Sequence, residues 1–198
     1  MNAIESSIRD AHAMGDFDRA LTVLVEGYGR ELLSFLCARA QSDDLGGELF
    51  AATCEKLWRG IAGFSWRSSA RGWAYAVAKN VLTDHFRSPH ERPERKQSLS
   101  QLGEASAVVE RVRTETARYR KTETKNRMQK LREQLPGDDQ TLLILRVDRQ
   151  LPWAELAQIM AERPLDDAEL KRESARLRQR FQAVKTKLRA LAKDAGLL

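Results

Sequence analysis

Long apolar runs are missing from this sequence. Its most apolar stretch, LTVLV at 21–25, is far short of the roughly 18 to 20 residues that a membrane-spanning helix needs, so a membrane-embedded chain is not expected. The opening MNAIESSIRDAHAMGDF contains acids and no continuous apolar segment, so no signal peptide is expected either, and the protein reads as soluble and cytoplasmic. Cysteine is scarce: Cys37 and Cys54 lie in helical apolar patterns without CxxC or His-rich company, which points to reduced core residues rather than zinc ligands. There is no Walker loop and no HExxH, and His12, His85 and His90 have no ligand-like partners, so neither a metal, a cofactor nor a catalytic residue is expected. Strand signals are absent as well, which leaves an all-α fold.

What the chain does have is charge and helical periodicity. Charged residues make up 31% of it, and 34 Lys and Arg against 28 Asp and Glu give a net charge of +6 and a pI near 9.5, which favours an anionic partner. From about Ile4 to Arg87 apolar residues recur at helical spacings, among them Leu21, Leu24, Val25, Tyr28, Leu32, Phe35, Leu36, Phe50 and Leu57. Breaks are expected at QSDDLGG (41–47) and GFSWRSS (63–69), giving a small bundle of three or four helices over 1–88. Residues 89–122 are expected to be a linker. Its first part, with two prolines, several serines and little to bury beyond Leu99 and Leu102, reads as flexible, while Val108, Val109 and Val112 could form the stripe of a marginal helix over 104–122. A second block over 123–198 has a helix to about Leu135, a break at Pro136–Gly137, a helix over Gln140–Arg149, a third opening at Pro152, and a long last helix capped by Asp166 and Asp167.

Two helical faces stand out. On RGWAYAVAKNVLTDHFR (71–87), Ala74, Val77, Ala78, Val81 and Leu82 form an apolar arc, and the opposite arc holds Gly72, Trp73, Ala76, Lys79, Asn80, Thr83, Asp84 and Arg87. Mixing an aromatic, very small residues, an amide and cations, that arc suits something flat, polar and negative. On the last helix Leu170, Leu177, Phe181, Val184, Leu188 and Leu191 form an apolar seam, spaced 7, 4, 3, 4 and 3. Between 171 and 193 it carries nine cations against Glu173 alone, a balance of +8 that exceeds the +6 of the whole chain. A merely solvated face would intersperse Glu for i,i+4 pairs, so this face is suited to a polyanion. Ala175, Gln179, Gln182 and Thr186 lie opposite the seam between flanking cations, as fits a helix in a major groove, and the helix from Pro152 followed by this one resembles a helix-turn-helix.

The two blocks together resemble regions 2 and 4 of an RNA polymerase sigma-70 family sigma factor of the short, extracytoplasmic-function (ECF) type, over roughly residues 17–90 and 125–193. The resemblance is carried by ELFAATCEKLWRGIAGF with ARGWAYAVAKN, and by LPGDDQTLLILRVDRQLPWAELAQIM with LRQRFQAVKTKLRAL. It implies two small helical domains, the second a helix-turn-helix, with core RNA polymerase and promoter DNA as partners and no active site in this chain. For the minus-ten element it implies contacts from Phe64, Ser65, Trp66, Arg71, Trp73, Lys79, Asn80 and Arg87: Asn80 to a base turned out of the stack, the loop as its pocket, Trp73 stacking, and the cations on phosphates. For the minus-thirty-five element it implies Arg178, Gln179 and Gln182 as readers, Arg180 and Lys185 as backbone contacts, and Arg176 on the flank. Polymerase docking would fall to Glu48, Leu49 and Lys56.

This chain departs from the family at two places. Ala51 and Ala52 stand where the family usually has Gln and Glu, and the turn between Met160 and Leu177 is enlarged, so that either the recognition helix begins early or a short extra helix precedes it. Short sigma factors are commonly restrained, which makes an anti-sigma factor a candidate partner. The alternative to a sigma factor is a helix-turn-helix regulator that binds duplex DNA without polymerase. A helical adaptor or RNA-binding protein is a more distant one.

Overall fold

The computed structural model describes residues 3–87, 105–122, 127–161 and 163–197. The expected flexible segment with its two prolines, His90, and the expected start of the second block at Glu123 lie outside them. All regular elements among the described residues are helical: α1 Ala3–Ala13, α2 Phe17–Ala40, α3 Asp43–Gly60 with a 3-10 turn Ile61–Gly63, α4 Ala70–Arg87, α5 Ala105–Thr122, α6 Arg127–Arg132, α7 Gly137–Leu143, α8 Trp153–Met160 and α9 Asp167–Asp194. They divide into two compact units, Met1–Lys121 and Thr122–Leu198.

In the first unit α2 is the central helix, packed against α1, α3 and α4. Its apolar positions Leu21, Leu24, Val25, Leu32, Phe35 and Leu36 are buried, as the periodicity predicts. Two helix boundaries differ from the sequence expectation. The chain breaks between α1 and α2 at Gly15, whose φ of +75° ends one helix, and Asp16, whose side chain accepts from the Arg19 amide at 3.0 Å to start the next. Conversely, the break expected over 41–47 is confined to Gln41 and Ser42, with Ser42 capping α3 through the Leu45 amide. Gly46 and Gly47 lie inside α3 rather than breaking it. A Cβ on Gly46 would stand 2.4 Å from Cys37 Sγ and 2.6 Å from Cys37 Cα, so the glycine is there to let α2 and α3 cross closely. Cys37 and Cys54 are buried free thiols, and burial pushes the Cys54 thiol up, away from reactivity.

Residues 105–122 form α5, with Ala105, Val108 and Val109 buried in the first unit. Val112 approaches α2 at Gly29, Arg113 approaches α3 at Gly47, and Glu115 pairs with Arg30 of α2 at 2.9 Å.

In the second unit Leu135, Leu143 and Val184 form a core onto which Phe181, Leu188 and Leu191 of α9 pack, so the predicted seam of the last helix is the face it buries. Helix α7 starts at Gly137, earlier than Gln140, because Pro136 presents its carbonyl to the Asp139 and Gln140 amides at 2.9 and 3.0 Å. It continues as a π-helical turn, Ile144–Asp148. The enlarged turn before the recognition helix is only residues 161–166 long, because α9 begins early, at Asp167. Asp166 accepts from the Glu169 amide at 2.8 Å and Glu169 accepts from the Asp166 amide at 3.0 Å, a reciprocal capping box. The side-chain hydrogen bond from Arg163 holds the Glu169 carboxyl down at about 2, with the Asp166 amide adding to the effect.

Candidate nucleic-acid interface

The loop between α3 and α4 builds an aromatic shelf. The Phe64 and Trp73 rings stack at 4.7 Å and 19°, and Trp66 meets Phe64 at 4.7 Å, tilted by 50°. Phe64, only 9% exposed, is the floor of the shelf, whereas Trp66 and Trp73 are half-buried and Ser65 is exposed. Gly60 lies beneath Trp73: a Cβ there would come within 3.2 Å of the indole. Trp66 has a φ of +58°, a left-handed conformation that a bulky residue adopts only where its surroundings hold it.

Helix α4 starts under three caps. Ser69 Oγ accepts from the Gly72 amide at 2.9 Å, and the Glu5 carboxylate, brought from α1, accepts from the Ala70 and Arg71 amides at 2.9 and 3.0 Å. A helix start is a natural anion site, and here a protein carboxylate fills it. From that start Trp73, Asn80 and Arg87 follow one another at seven-residue spacing along a single stripe, with Asn80 and Arg87 exposed.

Arg71 and Lys79, both expected as phosphate contacts and Lys79 on the outward arc, are engaged within the fold. Both guanidinium nitrogens of Arg71 facing Glu31 are engaged, at 2.6 and 2.8 Å, and the group lies 5.9 Å above the Tyr28 and Tyr75 rings. Lys79 is 7% exposed. A helical wheel for two packed helices leaves Lys79 outside, but α4 touches α1, α2 and α3, so its buried arc is wider.

On α3, Glu48 is exposed and Lys56, also exposed, donates to Asp84 of α4 at 2.9 Å. Leu49, grouped with them by sequence, is 3% exposed and serves the core.

In the second unit α8 packs on α9, and Ser174 Oγ donates to the Trp153 carbonyl at 3.3 Å. Ala175, Arg176, Arg178, Gln179, Gln182, Lys185 and Thr186 are exposed on α9 as the seam predicts. The cations differ in how they are held. Arg180 is drawn to Asp139 at the start of α7, at 2.7 Å, and is half-buried, while Arg176 pairs with Glu173 on its own helix. Arg178 lies 5.7 Å over the Trp153 ring, which Arg146 also covers at 4.8 Å, and Lys185 lies 5.2 Å over Phe181. Aromatic faces thus fix the direction of two exposed cations without neutralising them. Trp153 was not legible as a site residue; its only signal is an aromatic placed just after the helix-opening Pro152.

Among the described residues no group of three or more His, Cys, Asp or Glu could hold a metal ion, and no helix is long and apolar enough to cross a membrane.

Residues 24–92, which contain the shelf and the α4 stripe, match the family model described as sigma-70 region 2. The chain is similar to the RNA polymerase sigma factor YlaC of Bacillus subtilis, at 25% identity over 69% of this chain and 77% of that protein. It is also similar to the ECF RNA polymerase sigma factor SigC of Mycobacterium tuberculosis and to the probable RNA polymerase sigma-C factor of Mycobacterium bovis, each at 35% identity over 38% of this chain and 49% of the relative. It therefore spans about three quarters of the first relative and about half of the other two.

Proposed function

We infer, from this chain's belonging to the RNA polymerase sigma-70 family as a factor of the ECF type, that it binds core RNA polymerase and directs promoter recognition and transcription initiation. The observation that carries this reading is the coincidence of the region 2 match at 24–92 with a built aromatic shelf beside an exposed asparagine. Single-stranded bases stack on aromatic faces whatever their sequence, at about 1–3 kcal/mol per base, and an amide can then read the edge of a base held out of the stack. In this proposal Trp73 and Trp66 take the melted non-template strand of the minus-ten element, Asn80 reads a base, and Arg87 meets a phosphate. Arg71 is held in the first unit by Glu31, and Lys79 is buried there.

The second unit reads the minus-thirty-five duplex through Arg178, Gln179 and Gln182, with Arg176 and Lys185 on the flanking phosphates and Arg180 orienting α9 through Asp139. Glu48 and Lys56 mark the polymerase-facing side of α3. An anti-sigma factor competing for these surfaces belongs to the same proposal as a partner class. The chain contributes recognition and strand opening, while polymerisation belongs to the core enzyme, so it works without a cofactor or active site of its own and in the cytoplasm. A polymerase-independent regulator is not favoured, since it would have no use for a region 2 module.

The duplex side of this reading is tested with Arg178→Ala in the holoenzyme. Affinity for promoters with an intact minus-thirty-five element should fall and discrimination against altered elements should relax, whereas Lys185→Ala, at a flanking phosphate, should make the log–log salt dependence shallower by about one unit. Unchanged affinity and slope would place the groove-reading residues elsewhere on α9.

A further inference from the structure

We propose that α1, which lies outside the matched residues 24–92, is a clasp that preorganises the minus-ten reading surface, with His12 as a positioning residue for the loop that carries Trp66. The proposal rests on the sigma-factor reading above and adds to it residues that neither the sequence nor the family match singles out.

His12 bridges two points of the chain far from it in sequence. Its Nε2 lies 2.9 Å from the Ile61 carbonyl oxygen, and the Trp66 indole N–H reaches its Nδ1 at 3.4 Å. A carbonyl can only accept and an indole N–H can only donate, so both bonds are made together by one form of the ring: neutral, with the proton on Nε2. The same ring is edge-on to Trp66 at 5.6 Å and to Phe17 at 5.4 Å. One turn earlier on α1, the Arg9 guanidinium lies 4.6 Å over the Trp66 ring. Trp66 is thus held by α1 through its N–H, its edge and its face, at the one residue of the loop whose φ is positive.

The far end of the loop is held from the same helix. Glu5 caps α4 at Ala70 and Arg71 and receives the Tyr28 hydroxyl at 3.1 Å. Helix α1 therefore fixes both ends of the segment between the 3-10 turn and α4. A loop that must receive an extruded base gains affinity when it is ordered before the strand arrives, because binding then carries no ordering cost. Ile8 and Ala11 already anchor α1 in the core. The polar residues Glu5 and His12 are not needed for that anchoring, and they are the ones aimed at the loop.

The test uses holoenzyme assembled from the full chain and bacterial core RNA polymerase, with a single-stranded non-template oligonucleotide carrying the minus-ten element as probe. His12→Phe keeps a ring against Phe17 and Trp66 and removes both hydrogen bonds, while His12→Gln restores an N–H donor and an oxygen acceptor. His12→Phe should weaken oligonucleotide binding by roughly tenfold and blunt discrimination among bases, as expected when loop ordering is transferred to the binding step. Affinity for core polymerase and the thermal midpoint should stay as in the unsubstituted protein, and His12→Gln should recover most of the binding. In parallel, the indole N–H resonance of Trp66, assigned with Trp66→Phe, should move in His12→Phe and return in His12→Gln. Oligonucleotide binding by His12→Phe equal to that of the unsubstituted holoenzyme overturns the clasp alone, as does a glutamine variant no better than phenylalanine. If the unsubstituted chain with core polymerase never binds the strand, the sigma-factor reading itself falls and the clasp falls with it.

Discussion

Replacing Gly46 by alanine is expected to destabilise the first unit by about 3 kcal/mol, the upper part of the range for forcing an extra methyl group into a packed core. Two effects of opposite sign compete. Alanine is the better helix former by up to about 1 kcal/mol, and Gly46 lies within α3, so propensity alone predicts a gain. The added Cβ, however, would stand 2.4 Å from Cys37 Sγ, 2.6 Å from Cys37 Cα and 2.8 Å from its amide nitrogen. The sulfur could rotate away, but the backbone of α2 could not, so α2 and α3 would have to separate at Cys37. The clash outweighs the propensity gain. Gly63→Ala is the control, since a Cβ there meets open space and φ is not positive; its effect should stay within about 0.5 kcal/mol. Urea unfolding of both variants checks this, with the midpoint of Gly46→Ala lowered at unchanged slope. A Gly46→Ala protein as stable as its parent would show that the helices do not cross as closely as described.

Asn80→Ala is expected to reduce promoter opening by at least about fivefold, since an amide paired with a base edge contributes roughly 1–3 kcal/mol of discrimination. Asn80 is exposed on a helix whose core positions are Ala74, Tyr75, Ala78, Val81 and Leu82, so its truncation leaves the packing of α4 untouched. Glu48 and Lys56, the proposed docking residues, are on α3, and Lys56 meets α4 at Asp84, one turn beyond Asn80. Opening should therefore fall while polymerase association holds, as read by permanganate reactivity and by a binding titration on the same preparation. An equal fall in both would assign Asn80 to the docking surface or to folding and remove it from base recognition.

The outward stripe of α4 and the basic face of α9 were legible because each depends on the period of one helix. The start of α9 carried a local signal too, Asp166 as a cap, while Glu169, three residues on, completes a capping box that the sequence reading did not name. What a single helix could not reveal was which other helices surround it. Lys79 reads as an outward cation, yet α4 meets α1, α2 and α3, and Arg71 reads as a phosphate ligand until Glu31 of α2 is found across from it. Glycine was ambiguous in the same way, since Gly46 looks like a breaker in sequence and is a crossing point in the fold. The break at Gly15 and Asp16 carried a local signal, a glycine followed by a capping acid, within a stretch whose apolar spacing reads as continuous. Glu5 and His12 carried none. Glu5 meets Ala70 across 65 positions and His12 meets Trp66 across 54, and only the completed bundle brings those pairs together. The valine stripe of α5 was visible, but not what its later turns meet: Val112 lies against Gly29 of α2, and Arg113 beside it lies against Gly47 of α3.

The central claim is that this chain opens promoters only in company with core RNA polymerase. The direct measurement mixes the purified chain with bacterial core polymerase on a promoter library and maps unpaired bases with a base-reactive probe. The account predicts opening at a defined set of sequences that requires both proteins, with reactive bases in the minus-ten region and a shared duplex element upstream. Duplex binding by the chain alone, with no opening and no association with polymerase, would contradict it.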